Sequence, residues 1–246
     1  MSTKDKNALV SFEAELAKLA SEAVTAETSS SGPAFLSTKG GQLTYRGNPI
    51  AGNELSVVIL ASPVERTYYT DRYDPTKPSG PACFAMAVSS QGLGPNSSSP
   101  QPQNATCAGC PKDQWGSASN GGKGKACSEK RRLLILTEDS IATPEAVELA
   151  EVAALRTPVT SVKPFGDYLQ KIAILSKRPL STVVTKIKLV PDPKTQFKLS
   201  FDFLRTVDDT AVAQALLNRA KAEVERAVQS AGQEEEVLEV SASSKY

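Results

Sequence analysis

The chain has 246 residues, 28 of them basic and 27 acidic, with 40% hydrophobic residues, four cysteines, sixteen prolines and no histidine. The missing imidazole excludes Ser-His-Asp and Cys-His nucleophiles, a histidine general base and any mixed Cys/His zinc site. A net charge of +1 argues against a uniformly basic nucleic-acid binder, but it averages over segments that differ in sign.

The length predicts one main domain. Met1 to Val10 is polar and lacks the apolar core of a secretory signal. The longest apolar run, Leu55 to Ala61, is interrupted by Ser56 and too short to span a bilayer. A cytoplasmic protein with no membrane partner is expected, in a reducing compartment where cysteines serve more often as thiolate ligands than as disulfide halves.

In chain order, Leu9, Phe12, Leu16 and Leu19 recur at helical spacing and predict an amphipathic helix, followed by a Ser/Thr-rich linker that ends at Pro33. Asn53 to Tyr69 reads as strand, with Pro63 marking an edge position or a break. Cys83 to Val88 is a second strand and Arg131 to Thr137 a third. Between them Ser89 to Lys125 is too poor in aliphatic residues to fold by itself. Thr143 to Leu155 and Lys163 to Leu175 read as helices, and Val183 to Val190 with Phe197 to Val207 as a hairpin. The last helix, 208–231, has Asp208 or Asp209 as its N-cap and an apolar stripe at Val212, Leu216, Val224 and Val228.

The fold class expected from this order is mixed α/β, mainly β: a five-stranded OB-fold-like barrel with a long zinc-bearing loop and flanking N- and C-terminal helices. The chain divides into a helix and linker over 1–33, a core over 34–207 with an insertion at 83–130, a helix over 208–231 and an acidic tail over 232–246.

The strongest chemical signal is Cys83, then Cys107-Ala-Gly-Cys110-Pro, then Cys127. Two thiolates two residues apart can converge on one ion, while turn residues between them free backbone N–H groups to face the sulfurs. With no histidine available, the expected cofactor is one structural Zn2+ held by Cys83, Cys107, Cys110 and Cys127, a closed four-thiolate site without an open catalytic position. An iron–sulfur cluster or four unrelated reduced thiols are the alternatives.

From Trp115 to Arg132 five positive charges stand against the single Glu129. Flexible glycines let lysines reach phosphates, and Trp115, the only tryptophan, offers a stacking surface. Upstream, Arg66, Tyr68, Tyr69, Arg72 and Tyr73 interleave cations with aromatic faces. The predicted nucleic-acid contacts are these five with Trp115, Lys123, Lys125, Lys130, Arg131 and Arg132. The same residues also fit a plainer role, as strand aromatics and as counter-charge to the metal site. A Walker A loop is excluded, because Gly122 stands where its lysine belongs.

The motifs Cys107-x2-Cys110-Pro, Trp115-Gly-Ser, Gly122-Lys-Gly-Lys-Ala-Cys127 and Arg131-Arg-Leu resemble a group of proteins from tailed bacteriophages. A cysteine cluster inserted in an OB-like core beside an acidic C-terminus is similar to the zinc-containing, helix-destabilising single-stranded-DNA-binding family typified by phage T4. That family uses a histidine ligand, which this chain lacks. The resemblance implies a non-enzymatic protein that binds single-stranded DNA in phage replication and recombination, with Glu234, Glu235, Glu236 and Glu239 of the tail contacting replication or recombination proteins. Two other readings stand beside it. One is a zinc-stabilised protein-interaction adaptor. The other is a metal-dependent nuclease drawing on Asp71, Asp74, Glu138 and Asp139, which form no recognisable spaced motif.

Overall fold

A computed structural model describes residues 34–71, 79–118 and 122–230. The predicted N-terminal helix, Arg72, Tyr73, Asp74 and the acidic tail lie outside the described residues.

The fold is mixed α/β and mainly β. Strand β4 (Glu54–Ala61) and strand β5 (Val64–Tyr68) run end to end along β7 (Ser128–Thr137). Pro63 is the break between them, and its carbonyl accepts the Arg132 N–H at 3.0 Å. β7 thus passes from one sub-sheet to the other: Ser128 to Arg131 pair with β5, and Leu134 to Thr137 with β4. The hairpin predicted near the C-terminus forms as β9 (Val183–Asp192) and β10 (Gln196–Thr206), and β9 pairs with β4.

Beyond β7 the sheet continues through β8 (Ala153–Arg156), β1 (Ala34–Ser37), β2 (Thr44–Tyr45) and β3 (Asn48–Pro49), so that the path runs β10-β9-β4-β7-β8-β1-β2-β3. Strand β6 (Cys83–Ala87) pairs with β5 off this path. Instead of five strands, ten form a curled, open half-barrel among the described residues, with no pairing between β10 and β3.

The alanine-rich stretch read as one helix splits. Helix α1 covers only Pro144–Leu149, and Ala153 to Leu155 enter the sheet as buried β8 residues, antiparallel to β7 and parallel to β1. Two flanking strands outweigh alanine's helical preference there, since tertiary pairing overrides intrinsic propensity. Helix α2 (Val159–Leu175) begins earlier than expected, because buried Ser161 accepts the Leu199 N–H at 2.9 Å and anchors its first turn on β10. Helix α3 (Thr210–Ser230) starts as predicted, with the Asp209 carboxylate accepting the Val212 N–H at 2.9 Å.

Both faces of the central strands are covered. Val57 and Ile59 face Phe165, Tyr168 and Ile172 of α2, which lies inside the curl. Val58 and Leu60 face Val147 of α1 and Val212 and Leu216 of α3. The curl ends where the turn after β1 meets β10. Gly41 has φ +74°, and a Cβ there would overlap the Phe197 ring. Gly41→Ala therefore combines a strained backbone with a steric clash and should cost about 1–3 kcal/mol, visible as a lower urea midpoint. Among the described residues no helix is long and apolar enough to cross a membrane.

Candidate metal centre and nucleic-acid surface

The four cysteines are assembled by β5, its two neighbours and the loop that follows β6. Across β5, Tyr68 faces Cys83 on one side, and Thr67 faces Ser128 on the other. Cys127 directly precedes Ser128, so Cys83 and Cys127 mark the same end of this three-stranded unit, one on each flank.

The loop carrying the other two thiols is pinned mainly by backbone polar groups, as its composition requires. It runs along the open edge of β6. Asn96 and Gln101 donate backbone N–H bonds to the Phe84 and Ala82 carbonyls at 2.8 and 2.7 Å, and the Ser99 hydroxyl bridges the Phe84 N–H and C=O. These bonds satisfy an edge that would otherwise be exposed. Its main apolar anchor among the described residues is Leu93, packed with Val64 and Ala85, and the Leu93 carbonyl accepts the Cys107 N–H at 2.8 Å. Gly109 takes φ +75° between the paired cysteines, and Pro111 opens a 3-10 turn through Asp113. That left-handed residue lets the chain turn back, so that the Cys110 N–H reaches the Cys107 carbonyl at 3.3 Å. The Lys112 carbonyl accepts the Cys127 N–H at 2.8 Å and ties the middle of the loop to its C-terminal end.

Cys83, Cys107, Cys110 and Cys127 line one pocket of about 340 Å³, partly open to solvent, together with Arg66, Tyr68, Lys112 and Asp113. Burial pushes the Cys127 thiol up to about 12, against the opposing pull of Arg66, and raises Cys107 for the same reason. Cys107 and Cys127 are thus poor anions until a cation joins them. Among the described residues no three Cys, Asp or Glu side chains stand in ligating geometry. The four cysteines nevertheless share one pocket, and four soft sulfurs are the donor set that would hold Zn2+.

Beside the thiols lies a charge network that composition did not reveal. Arg66 donates to Asp113 at 2.8 Å and also to Glu129, and Lys125 reaches the other Asp113 oxygen at 2.9 Å. Burial alone would raise the Asp113 carboxyl, but the Lys125 and Arg66 hydrogen bonds outweigh it and hold it below the usual carboxylate range. Asp113 and Glu129 have one legible sign in the sequence, as acids inside a basic segment.

The predicted nucleic-acid residues separate. Arg66 is turned inward, committed to Asp113 and Glu129. Arg132 is 2% exposed, with Nε 2.9 Å from a Glu65 oxygen. Both were expected to face phosphates, but their positions on β5 and β7 point them into the molecule, where part-buried Asp113 and Glu129 pair with Arg66 and buried Glu65 pairs with Arg132. Arg131 and Lys130 are half-buried, and the Arg131 guanidinium reaches the Ser62 carbonyl at 3.4 Å. Lys123 and Tyr69 are exposed. Trp115 is 79% exposed, with the Lys125 ammonium 5.5 Å from its ring centre, and Lys112 lies 4.9 Å from the Tyr68 ring centre. Lys112 therefore belongs with the aromatic–cation set.

Of the carboxylates considered for metal-dependent cleavage, Glu138 is engaged by Arg205 at 2.8 Å, and Asp71 is exposed just past the end of β5, accepting from the Thr70 hydroxyl at 3.2 Å. No family model matches the chain, and no curated protein or solved structure matches it.

Proposed function

We propose that the chain is a sequence-tolerant single-stranded-DNA-binding protein of phage replication and recombination. In this reading an OB-like curled sheet serves as scaffold, and one Zn2+ on Cys83, Cys107, Cys110 and Cys127 holds the binding loop. The observation that carries the proposal is the placement of two aromatic–lysine pairs, Tyr68–Lys112 and Trp115–Lys125, at and beside the four-thiol pocket. Each pair offers a π-face for a base and a cation for the adjoining phosphate, without reading any base edge. Helices on both faces of the central strands leave this loop, with Lys123 and Tyr69, as the better surface. The resemblance of the 83–132 motifs to phage proteins adds to it, and the tail glutamates Glu234, Glu235, Glu236 and Glu239 fit contacts to replication partners.

Fluorescence anisotropy with labelled oligo-dT tests the reading. Metal-replete protein should bind at low salt, with log K falling about 0.7 per neutralised phosphate against log[salt]. Trp115→Ala should weaken binding by about 1–3 kcal/mol. Absence of binding at low salt overturns the proposal.

A further inference from the structure

The thiol pocket and the exposed tryptophan are joined through one carboxylate. Asp113 closes the 3-10 turn that begins right after Cys110, and its N–H bonds to the Cys110 carbonyl at 2.9 Å. One carboxylate oxygen points inward to Arg66, which lines the pocket with all four thiols and whose Nε is buried without a hydrogen-bond partner. The other points outward to Lys125, whose ammonium lies over Trp115. Lys125 stands two residues before Cys127, and the Cys127 N–H is held by the Lys112 carbonyl. Both cations of the aromatic pairs are therefore indexed to thiols by short covalent and hydrogen-bonded paths.

We infer that Asp113 is the positioning residue that couples a metal ion in the thiol pocket to the presentation of Trp115 and Lys125, so that nucleic-acid affinity follows the metal state. The inference rests on the single-stranded-DNA reading for its ligand. When a cation draws the four sulfurs together as thiolates, the pocket gains negative charge and Arg66 is held beside it, with its unpartnered Nε–H available to a sulfur. Asp113 then has a fixed inner partner, and its second oxygen fixes Lys125. Without the cation Arg66 keeps Asp113 and Glu129 but loses the thiolate charge beside it, so the inner end of this chain is held less firmly, and an indole 79% exposed has little else to hold it. Couplings of this kind change affinity on the order of 5- to 150-fold.

The test uses the full chain as wild type, Asp113→Asn and Asp113→Glu, before and after chelation. Three quantities are measured: metal content, Trp115 emission, which is unambiguous because the chain has one tryptophan, and oligo-dT affinity at fixed low salt. Chelation of the wild type should shift Trp115 emission and weaken oligo-dT binding at least about fivefold. Asp113→Asn should keep its metal yet bind like the chelated wild type, with little further loss on chelation, and Asp113→Glu should restore binding. Metal-loaded Asp113→Asn with wild-type affinity, or an equal chelation effect in both proteins, overturns the inference. If metal-replete wild type binds no oligo-dT, the functional reading fails by itself and emission decides the coupling. A metal-dependent shift that Asp113→Asn lacks sustains it, and the same shift in both, or none in the wild type, removes it. Lys125→Gln severs the same link from its outer end, and its Trp115 emission should no longer respond to chelation if Asp113→Asn folds poorly; an emission shift as large as the wild type's overturns the inference.

Discussion

Cys110→Ser protein, purified without added metal, should carry no stoichiometric zinc and should be cut by trypsin at Lys112, Lys123 and Lys125 under conditions that leave the wild type whole. Cys110 is the least exposed of the four cysteine residues, and the segment it holds has Leu93 as its main apolar anchor. Backbone hydrogen bonds to a strand edge contribute about 1 kcal/mol each, whereas structural zinc contributes roughly 10–16 kcal/mol in small peptides. On the proposed metal centre, loss of the ion removes most of what orders the loop. The damage should stay local, because neither of the two large core clusters, around α2 and around α3, contains a residue of 83–127. Circular dichroism of the sheet should persist while the loop becomes cleavable. A Cys110→Ser protein that retains its metal and resists trypsin removes the four-thiolate centre.

Glu65→Ala should destabilise the whole domain by about 3–5 kcal/mol, the largest effect expected of a single substitution outside the metal loop. Glu65 is 3% exposed on β5. Its two oxygens meet Arg132 Nε at 2.9 Å and Arg156 Nε at 3.0 Å, on β7 and β8. The cluster sits at the crease beside Pro63, where β7 changes partners from β5 to β4. Truncating the carboxylate removes the charge that Arg132 Nε and Arg156 Nε meet at the crease and leaves a void beside a guanidinium 2% exposed. Urea denaturation measures the loss. The double variant Glu65→Leu, Arg132→Met should recover most of it, since apolar side chains of similar size can replace a buried pair at little cost. A Glu65→Ala protein as stable as the wild type would show that the pair contributes nothing there.

Local signals in the sequence were sufficient for several elements. Alternation over Val183 to Val207 specifies the β9–β10 hairpin, Asp209 caps α3, and Pro63 breaks the strand, because each depends on neighbours a few residues apart. The clustering of the four cysteines in one third of the chain was equally legible, and they do line one pocket.

Other features depend on partners distant in the chain. Ala153 to Leu155 become strand because β7 and β1 stand on either side of them, and β1 to β3 are too short to announce themselves by periodicity. The apolar stripe of α3 shows the same limit: Val212 and Leu216 are buried as predicted, but Glu223 and Ala227 take the positions expected for Val224 and Val228, with Arg219 and Arg226 pairing the buried glutamate.

The basic residues divide for the same reason. Composition identifies Arg66, Arg132, Lys125 and Trp115 alike as candidates for nucleic-acid contact. Only the tertiary structure turns the two arginines inward and leaves Lys125 and Trp115 at the surface, because burying a guanidinium requires a carboxylate beside it. Glu65, Glu129 and Asp113 reach those arginines only through the pairing of β5 with β7 and the path of the loop between them.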